Sequence, residues 1–490
     1  MYTTEIIRQN ILEQALRGEL VPQTEHEDDA INLLEQIKKE KQDMVERKII
    51  KKSVPLPPIE EKEIPYELPK GWIWVRLGDV SEIKGGKRIP KGYKFSDQAT
   101  NHVYIRVTDM KSGTISMGDL KYIDDGVYQK IKNYTISTND LYVTIAGTIG
   151  RVGTIPQELD GMNLTENACK VTPVLVDLKY MKYLLTSELV QKQFQEGFNQ
   201  LAQPKLSLRT LNSVVIALPP LSEQKQIANK IDELFSVCDQ WESEVEFQKK
   251  HLEILREKVL EDAMKGILVE QDSNDEPASV LLKKLREENQ QLVKEGKIKK
   301  ADLLPAIEED EIPYGLPSGW EWARLGELGS SNIGLTYKPS NLVEEGTPVL
   351  RANNIKDSKM NYLDLVYVDI DVDEKLLAKS GDLLICSRSG SKNLVGKCAI
   401  VDKEGMSFGA FMAIFRSEMN GYIHKFLISK LLREQLFQSQ TTTIFQITQK
   451  MLKNFVIPVP PINEQKRIVE KIESIFETLD EIEKNIISPK

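Results

Sequence analysis

The chain has 490 residues, with 65 lysines and arginines against 74 aspartates and glutamates, and carries a net charge of -9 at pH 7. That length exceeds one ordinary core, and 40% hydrophobic with 28% charged residues excludes a disordered or fibrous chain. Taken alone, the acidic balance counts against nucleic-acid binding, but acidic helices can carry the negative charge while a separate face stays basic.

The first residues, Met1 to Gln14, hold Glu5, Arg8 and Glu13 inside an apolar pattern, which is not the uninterrupted apolar stretch of a signal peptide. No window offers the roughly eighteen apolar residues of a membrane helix, so a cytoplasmic protein is expected. Cys169, Cys238, Cys386 and Cys398 lack CxxC spacing and read as reduced thiols.

Moving along the chain, the segment 63–80 (EIPYELPKGWIWVRLGDV) recurs at 311–328 (EIPYGLPSGWEWARLGEL), with 12 of 18 positions identical at a shift of 248. The same shift aligns Leu12 to Ala15 with Leu260 to Ala263, Gly18 with Gly266, and Lys51-Lys52 with Lys299-Lys300. A second pair, 211–227 and 452–468, matches at a shift of 241, while Arg106 pairs with Arg351 at 245 and Asp140 with Asp382 at 242. The scaffold is therefore repeated and the loops inside it have changed length.

After Pro219-Pro220, with Ser222 as N-cap and Glu223 at the positive end of the dipole, a helix is predicted to about Met264. Its apolar positions Ile231, Leu234, Cys238, Trp241, Val245, Leu252, Leu255 and Val259 form a heptad seam interrupted by Gln248. The seam returns at Ile468, Ile472, Ile475, Leu479, Ile482 and Ile486, after Pro460-Pro461, Asn463 and Glu464. Thr4, Ile7 and Ile11 match Leu252, Leu255 and Val259 at the 248 shift, and both Met1 and Lys490 map onto position 249. The chain thus reads as a circle of two halves opened within its second long helix, with Met1 and Lys490 meeting midway along it. The expected fold is α+β, with two mixed α/β domains held apart by a long antiparallel two-helix coiled coil in a pseudo-twofold, circular organisation. The expected segments are a helical segment over 1–60, a domain over 61–219, a central helix and connector over 220–307, a second domain over 308–460 and a helix over 461–490.

Gly71-Trp72 with Arg76-Leu77-Gly78, Gly319-Trp320 with Arg324-Leu325-Gly326, and the Pro-Pro-x-x-Glu-Gln segments at 219–224 and 460–465 carry a family resemblance. Together with the circular repeat, they make the chain resemble the specificity subunit of type I restriction-modification enzymes, the HsdS family, over nearly its whole length. The resemblance implies two target-recognition domains, each reading one half of a split double-stranded DNA site. It also implies recruitment of two adenine methyltransferase subunits and two ATP-dependent translocase-nuclease subunits.

The residues agree with a non-catalytic reader that needs no cofactor. There is no GxxxxGK[ST] loop and no Asn/Asp-Pro-Pro-Tyr/Phe segment, and His26, His102, His251 and His424 are isolated. Glu223-x-Lys225 and Glu464-x-Lys466 spell the tail of a nuclease motif without an acidic partner on a preceding strand, so helix capping accounts for them better. An orphan adaptor serving only methylation and a helical protein-binding scaffold remain the alternative readings.

For phosphate contact the first domain offers Lys84, Lys87, Arg88, Lys91 and Lys94 around Gly85-Gly86 and Tyr93, and the second only Tyr337 and Lys338. Arg106 and Arg351, the latter followed by Asn353-Asn354, come after short apolar strands and could read base edges or make internal salt bridges. Arg151, Arg388 and Lys392 lie in loops after matching apolar strands, 141–145 and 383–386. Trp72, Trp74, Trp320 and Trp322 alternate as strand residues do, which makes core their default role. Identical methyltransferase subunits should dock on repeated edges, so Trp72, Arg76, Trp320 and Arg324 are the partner-binding candidates. Charge reversal at Arg76 and Arg324 is expected to weaken that docking and leave each domain folded.

Overall fold

Pro219-Pro220 ends the strand Val215–Leu218, and a helix then runs from Leu221 to Met264, 44 residues or about 66 Å at the usual rise. The computed structural model describes residues 4–22, 29–52, 54–197, 205–295, 304–391, 394–439 and 446–487. Helix Leu221–Met264 crosses the boundary between two units, Met1–Glu244 and Val245–Lys490. Pro220 rather than Ser222 closes its first turn, accepting from the N–H groups of Glu223 and Gln224, and Ser222 lies exposed within that turn.

In the first unit the helix Thr4–Leu16 packs on the start of the long helix in antiparallel order, Arg8 reaching Asp239 at 2.6 Å and Thr4 reaching Glu242. In the second unit the helix Ile462–Ile487 does the same with the end of the long helix, Arg256 binding Asp480 at 2.6 Å and Glu483 at 3.0 Å. Ile231, Cys238, Leu252, Ile468, Ile472 and Leu479 are buried as the seam requires. Leu255 and Ile482 depart from it, standing 49% and 42% exposed. At the far end of the second pair the seam passes instead through Arg256, whose carboxylate partners replace an apolar contact. The expected meeting of Met1 and Lys490 falls outside the described residues.

Among the described residues each unit adds four small sheets, two of them matching in strand order, a third sharing a parallel strand pair and the fourth a two-stranded hairpin, Met110–Lys111 with Thr114–Ile115 and Ile355–Lys356 with Lys359–Met360. In the first unit, Ile73–Arg76 pairs with Val215–Leu218, antiparallel. A four-stranded sheet follows in the order Ser81–Gly85, Ala168–Pro173, Leu141–Thr144, Val152–Thr154. A third sheet contains the parallel pair Val103–Ile105 and Met162–Leu164. The second unit repeats this with Glu321–Arg324 on Val456–Val459, then Ser330–Ile333, Met412–Arg416, Leu383–Cys386 and Cys398–Ile400. Its parallel pair is Thr347–Leu350 with Ser407–Phe408. The central strands Leu141–Thr144 and Leu383–Cys386 are buried at every residue, which is why they read as unbroken apolar runs.

Among the described residues no helix is long and apolar enough to cross a membrane. All four cysteines are free and buried.

Candidate nucleic-acid interface

The frame that holds each sheet system to its helices is repeated in most of its side-chain bonds, the Trp74 indole, which donates to the Tyr66 carbonyl at 3.3 Å, differing from that of Trp322, which makes no hydrogen bond among the described residues. Trp72 donates its indole N–H to Glu223 at 3.0 Å, and Trp320 to Glu464 at 3.0 Å. Burial raises the Glu464 carboxyl above its ordinary range even with that bond. Arg76 makes a bidentate pair with Glu63 and donates to the carbonyls of Pro57, Pro58 and Ser213. Arg324 does the same with Glu311 and the carbonyls of Pro305, Ala306 and Asn454. These bonds hold the Glu63 and Glu311 carboxyls below the usual range. Tyr66 donates to Leu16 and packs edge-on against Trp74, while Tyr314 donates to Met264 and packs the same way on Trp322.

The structure therefore corrects the reading of Trp72, Arg76, Trp320 and Arg324 as side chains offered to a partner. They are 6%, 3%, 8% and 4% exposed, and their polar atoms are committed within their own unit. A carboxylate in place of either arginine would face Glu63 or Glu311 with several carbonyls unpaired, so a folded domain is no longer the expected result of charge reversal.

A second repeated network surrounds Arg106 and Arg351. Arg106 donates to the Asp119 carbonyl and carboxylate and pairs with Asp109, while Arg351 donates to the Asp364 carbonyl and carboxylate at the same separation of 13 residues. Asn354, fully buried, accepts from the Arg351 N–H and takes the place of Asp109. Asn353 donates to Asp364 at 3.2 Å. These arginines brace a turn, and Asp119 and Asp364, to which the sequence pattern does not point, are their partners.

The basic cluster of the first unit lies on the surface. Lys84, Lys87, Arg88, Lys91 and Lys94 are all exposed, as are Tyr93 and Phe95 at 45% and 39%. The helix Asp125–Ile131 and the residues after it join them, with the Lys130 ammonium 5.5 Å from the Tyr93 ring and the Lys87 ammonium 5.5 Å from the exposed Tyr134 ring. Among the described residues, Arg88 alone of the five is ion-paired, to Glu166. Lys130 and Tyr134 are not legible as part of this cluster in the sequence, because 37 and 47 residues separate them from Tyr93 and Lys87, which they adjoin. Residues 81–134 hold ten lysines and arginines against six acids, whereas the corresponding 330–376 hold five against eight. There, Tyr337 is half-buried and Lys338 exposed.

Arg151 is exposed and donates to the Met110 carbonyl at 3.3 Å. Arg388 is exposed with its guanidinium 5.5 Å from the ring of Phe411, itself 60% exposed. Lys392 lies outside the described residues. Among the described residues no group of three or more His, Cys, Asp or Glu side chains is placed to hold a metal ion.

A family model described as "Type I restriction modification DNA specificity domain" matches residues 69–246 and 317–488. The type I restriction enzyme EcoAI specificity subunit of Escherichia coli is 28% identical over 98% of this chain and 90% of that protein. The EcoEI specificity subunit of the same species is 27% identical over 100% of this chain and 91% of that protein. A solved chain from a study titled as the structural basis of complex assembly and conformational transition of the type I R-M system has the same fold. It is 20% identical, with a TM-score of 0.57 over 86% of this chain and 94% of that one.

Proposed function

Since the chain belongs to the family of type I restriction-modification specificity subunits, we propose that it binds a bipartite, asymmetric double-stranded DNA site and contributes no catalytic group of its own. One observation carries this reading: the buried frame is the same twice, while the exposed faces built on it differ in charge and chemistry. Two copies of one scaffold with unlike surfaces are what two unlike half-sites require.

On this reading the target-recognition domains span 61–219 and 308–460, with 1–60, 220–307 and 461–490 as helical frame. Phosphates are gripped in the first domain by Lys84, Lys87, Arg88 and Lys91 beside Tyr93, with Arg151 further along. The second domain uses Tyr337, Lys338, Arg388 and Lys392, and its contacts depend less on charge. Arg106, Arg351, Asn353 and Asn354 act through the turns they brace.

Two adenine methyltransferase subunits and two ATP-dependent translocase-nuclease subunits complete the enzyme in the cytoplasm. Identical subunits need a surface present in both units. Ile6 and Ile254 occupy the same position of the repeat and are 43% and 52% exposed, an apolar contact that the buried tryptophans and arginines do not offer.

The test is selection from a randomised double-stranded DNA library by the full chain, alone and co-produced with its methyltransferase subunits. The expected outcome is a gapped motif with two unlike halves. A contiguous or two-fold symmetric motif would overturn the reading.

A further inference from the structure

The two units share a backbone junction that carries different side chains, where the second sheet meets the parallel strand pair. Gly86 N–H donates to the Ala168 carbonyl at 2.9 Å and Lys87 N–H to Leu164 at 2.9 Å; Gly334 N–H donates to Met412 at 3.0 Å and Leu335 N–H to Phe408 at 2.7 Å. Ile145 and Ala146 both donate to the Asn167 carbonyl, at 2.8 and 3.2 Å, as Ser387 and Arg388 both donate to Phe411, at 2.9 and 3.1 Å. Leu206 then donates to Ile145 as Ile447 does to Ser387. The glycine is needed in both units, since a Cβ on Gly86 would stand 2.1 Å from the Thr165 carbonyl oxygen and one on Gly334 2.2 Å from that of Gly409.

These bonds equate Lys87, Arg88, Ala146, Glu166, Asn167 and Lys205 with Leu335, Thr336, Arg388, Ala410, Phe411 and Gln446, and none of the six pairs matches. In the first unit Asn167 is half-buried, with its side-chain amide unpartnered among the described residues. In the second, Phe411 stands 60% exposed under the Arg388 guanidinium, and Arg388 has no carboxylate partner among the described residues. An exposed phenyl ring is poorly solvated, and a guanidinium 5.5 Å from its centroid is drawn towards the ring face, with no carboxylate on its donor fork among the described residues.

We propose that this junction is the specificity-determining position of each unit. Asn167 reads a base edge in the first half-site; Arg388, oriented by Phe411, reads one in the second. The chemistry commits each: a planar guanidinium pairs with the O6 and N7 acceptors of guanine in the major groove, and a side-chain amide with N6 and N7 of adenine. Phe411 is a positioning residue, acting through Arg388.

This inference rests on the proposed DNA-binding function, and the test separates the two. The same library selection is run with wild type, Arg388→Ala, Arg388→Lys, Phe411→Leu and Asn167→Ala, each checked for wild-type thermal unfolding. Arg388→Ala is expected to lose preference for guanine at one position of one half-site, by about ten-fold or more, with every other position retained. Arg388→Lys keeps the charge and loses the bidentate fork, so it should relax the same position. Phe411→Leu weakens that position without abolishing it, and Asn167→Ala relaxes an adenine in the other half. A wild-type motif left unchanged by all four variants overturns this inference and leaves the function standing. A wild-type chain that enriches no motif overturns both.

Discussion

The buried frame and the exposed junction are both built twice in this chain, and they differ in what has been kept. In the frame the side chains are the same: Trp72 and Trp320, Arg76 and Arg324, Tyr66 and Tyr314, Glu223 and Glu464 each make the same bond in each unit. The same holds for Gln193 and Gln435, which exchange two hydrogen bonds with the backbone of Val215 and Val456. At the junction only the backbone bonds are shared. A buried polar group must find its partner in a fixed place, so its identity is tied to the fold. A side chain beyond the backbone, facing solvent, is free to differ, and there the two units have diverged.

The strongest way to break this comparison is to cut the frame. Arg76→Leu and Arg324→Leu each strand a carboxylate and several carbonyls, and each should destabilise its own unit by about 3 to 5 kcal/mol in denaturant unfolding. Hydrogen exchange should place the loss in the altered unit only. An effect in one unit and none in the other would mean that the two frames are not equivalent.

A frame position that does differ sharpens the point. His424 stands where the first unit has Lys182, on the helix that also carries Tyr422, the equivalent of Tyr180. It is 7% exposed, neither ring nitrogen makes a well-formed hydrogen bond among the described residues, and burial beside Lys425 lowers its pKa from 6.5 to about 4. Because the folded state favours the neutral ring, its contribution is complete above pH 6.5 and is lost as pH falls from there towards 4. The loss amounts to about 3 kcal/mol at roughly 1.4 kcal/mol per pKa unit. His424→Leu should flatten that part of the stability profile of the second unit, measured by urea unfolding at about pH 7 and about pH 4.5. An unchanged profile would remove His424 as its source.

Gly86→Ala and Gly334→Ala force a methyl group onto a carbonyl oxygen and should each cost about 2 kcal/mol, equally in the two units, by thermal unfolding. On the surface, replacing Lys84, Lys91 and Lys94 by alanine should leave the motif unchanged. It should reduce the slope of log affinity against log salt by about 0.9 for each phosphate no longer neutralised, whereas Lys338→Ala should reduce it by no more than the share of a single phosphate. Equal slopes for the two variants would contradict the difference in charge between the units.

The repeat, the long helix to Met264 and the strands at 141–145 and 383–386 were legible because apolar period and punctuation are local properties of a sequence. So were the two faces of the helices, except where Arg256 with Asp480 and Glu483 takes an apolar place and leaves Leu255 outside. The candidate site was less legible. Arginine in a repeated motif carries the same letter whether it faces solvent or a buried glutamate, and the partners of Arg76 and Arg106 lie 13 residues away with no period to announce them. Phe411 and Asn167 gave no signal at all, since an exposed aromatic in a strand-rich segment reads as core. Only the paired backbone bonds show that they occupy one position.

The claim that one frame carries two independent readers is tested most directly by giving both units the same reader. Residues 308–460 are replaced by residues 61–219, the product is co-produced with the methyltransferase subunits, and its DNA motif is determined by library selection. The account predicts a gapped motif with the first unit's half-site twice, and the second unit's half-site gone. Retention of the second half-site, or of an asymmetric motif, would contradict it.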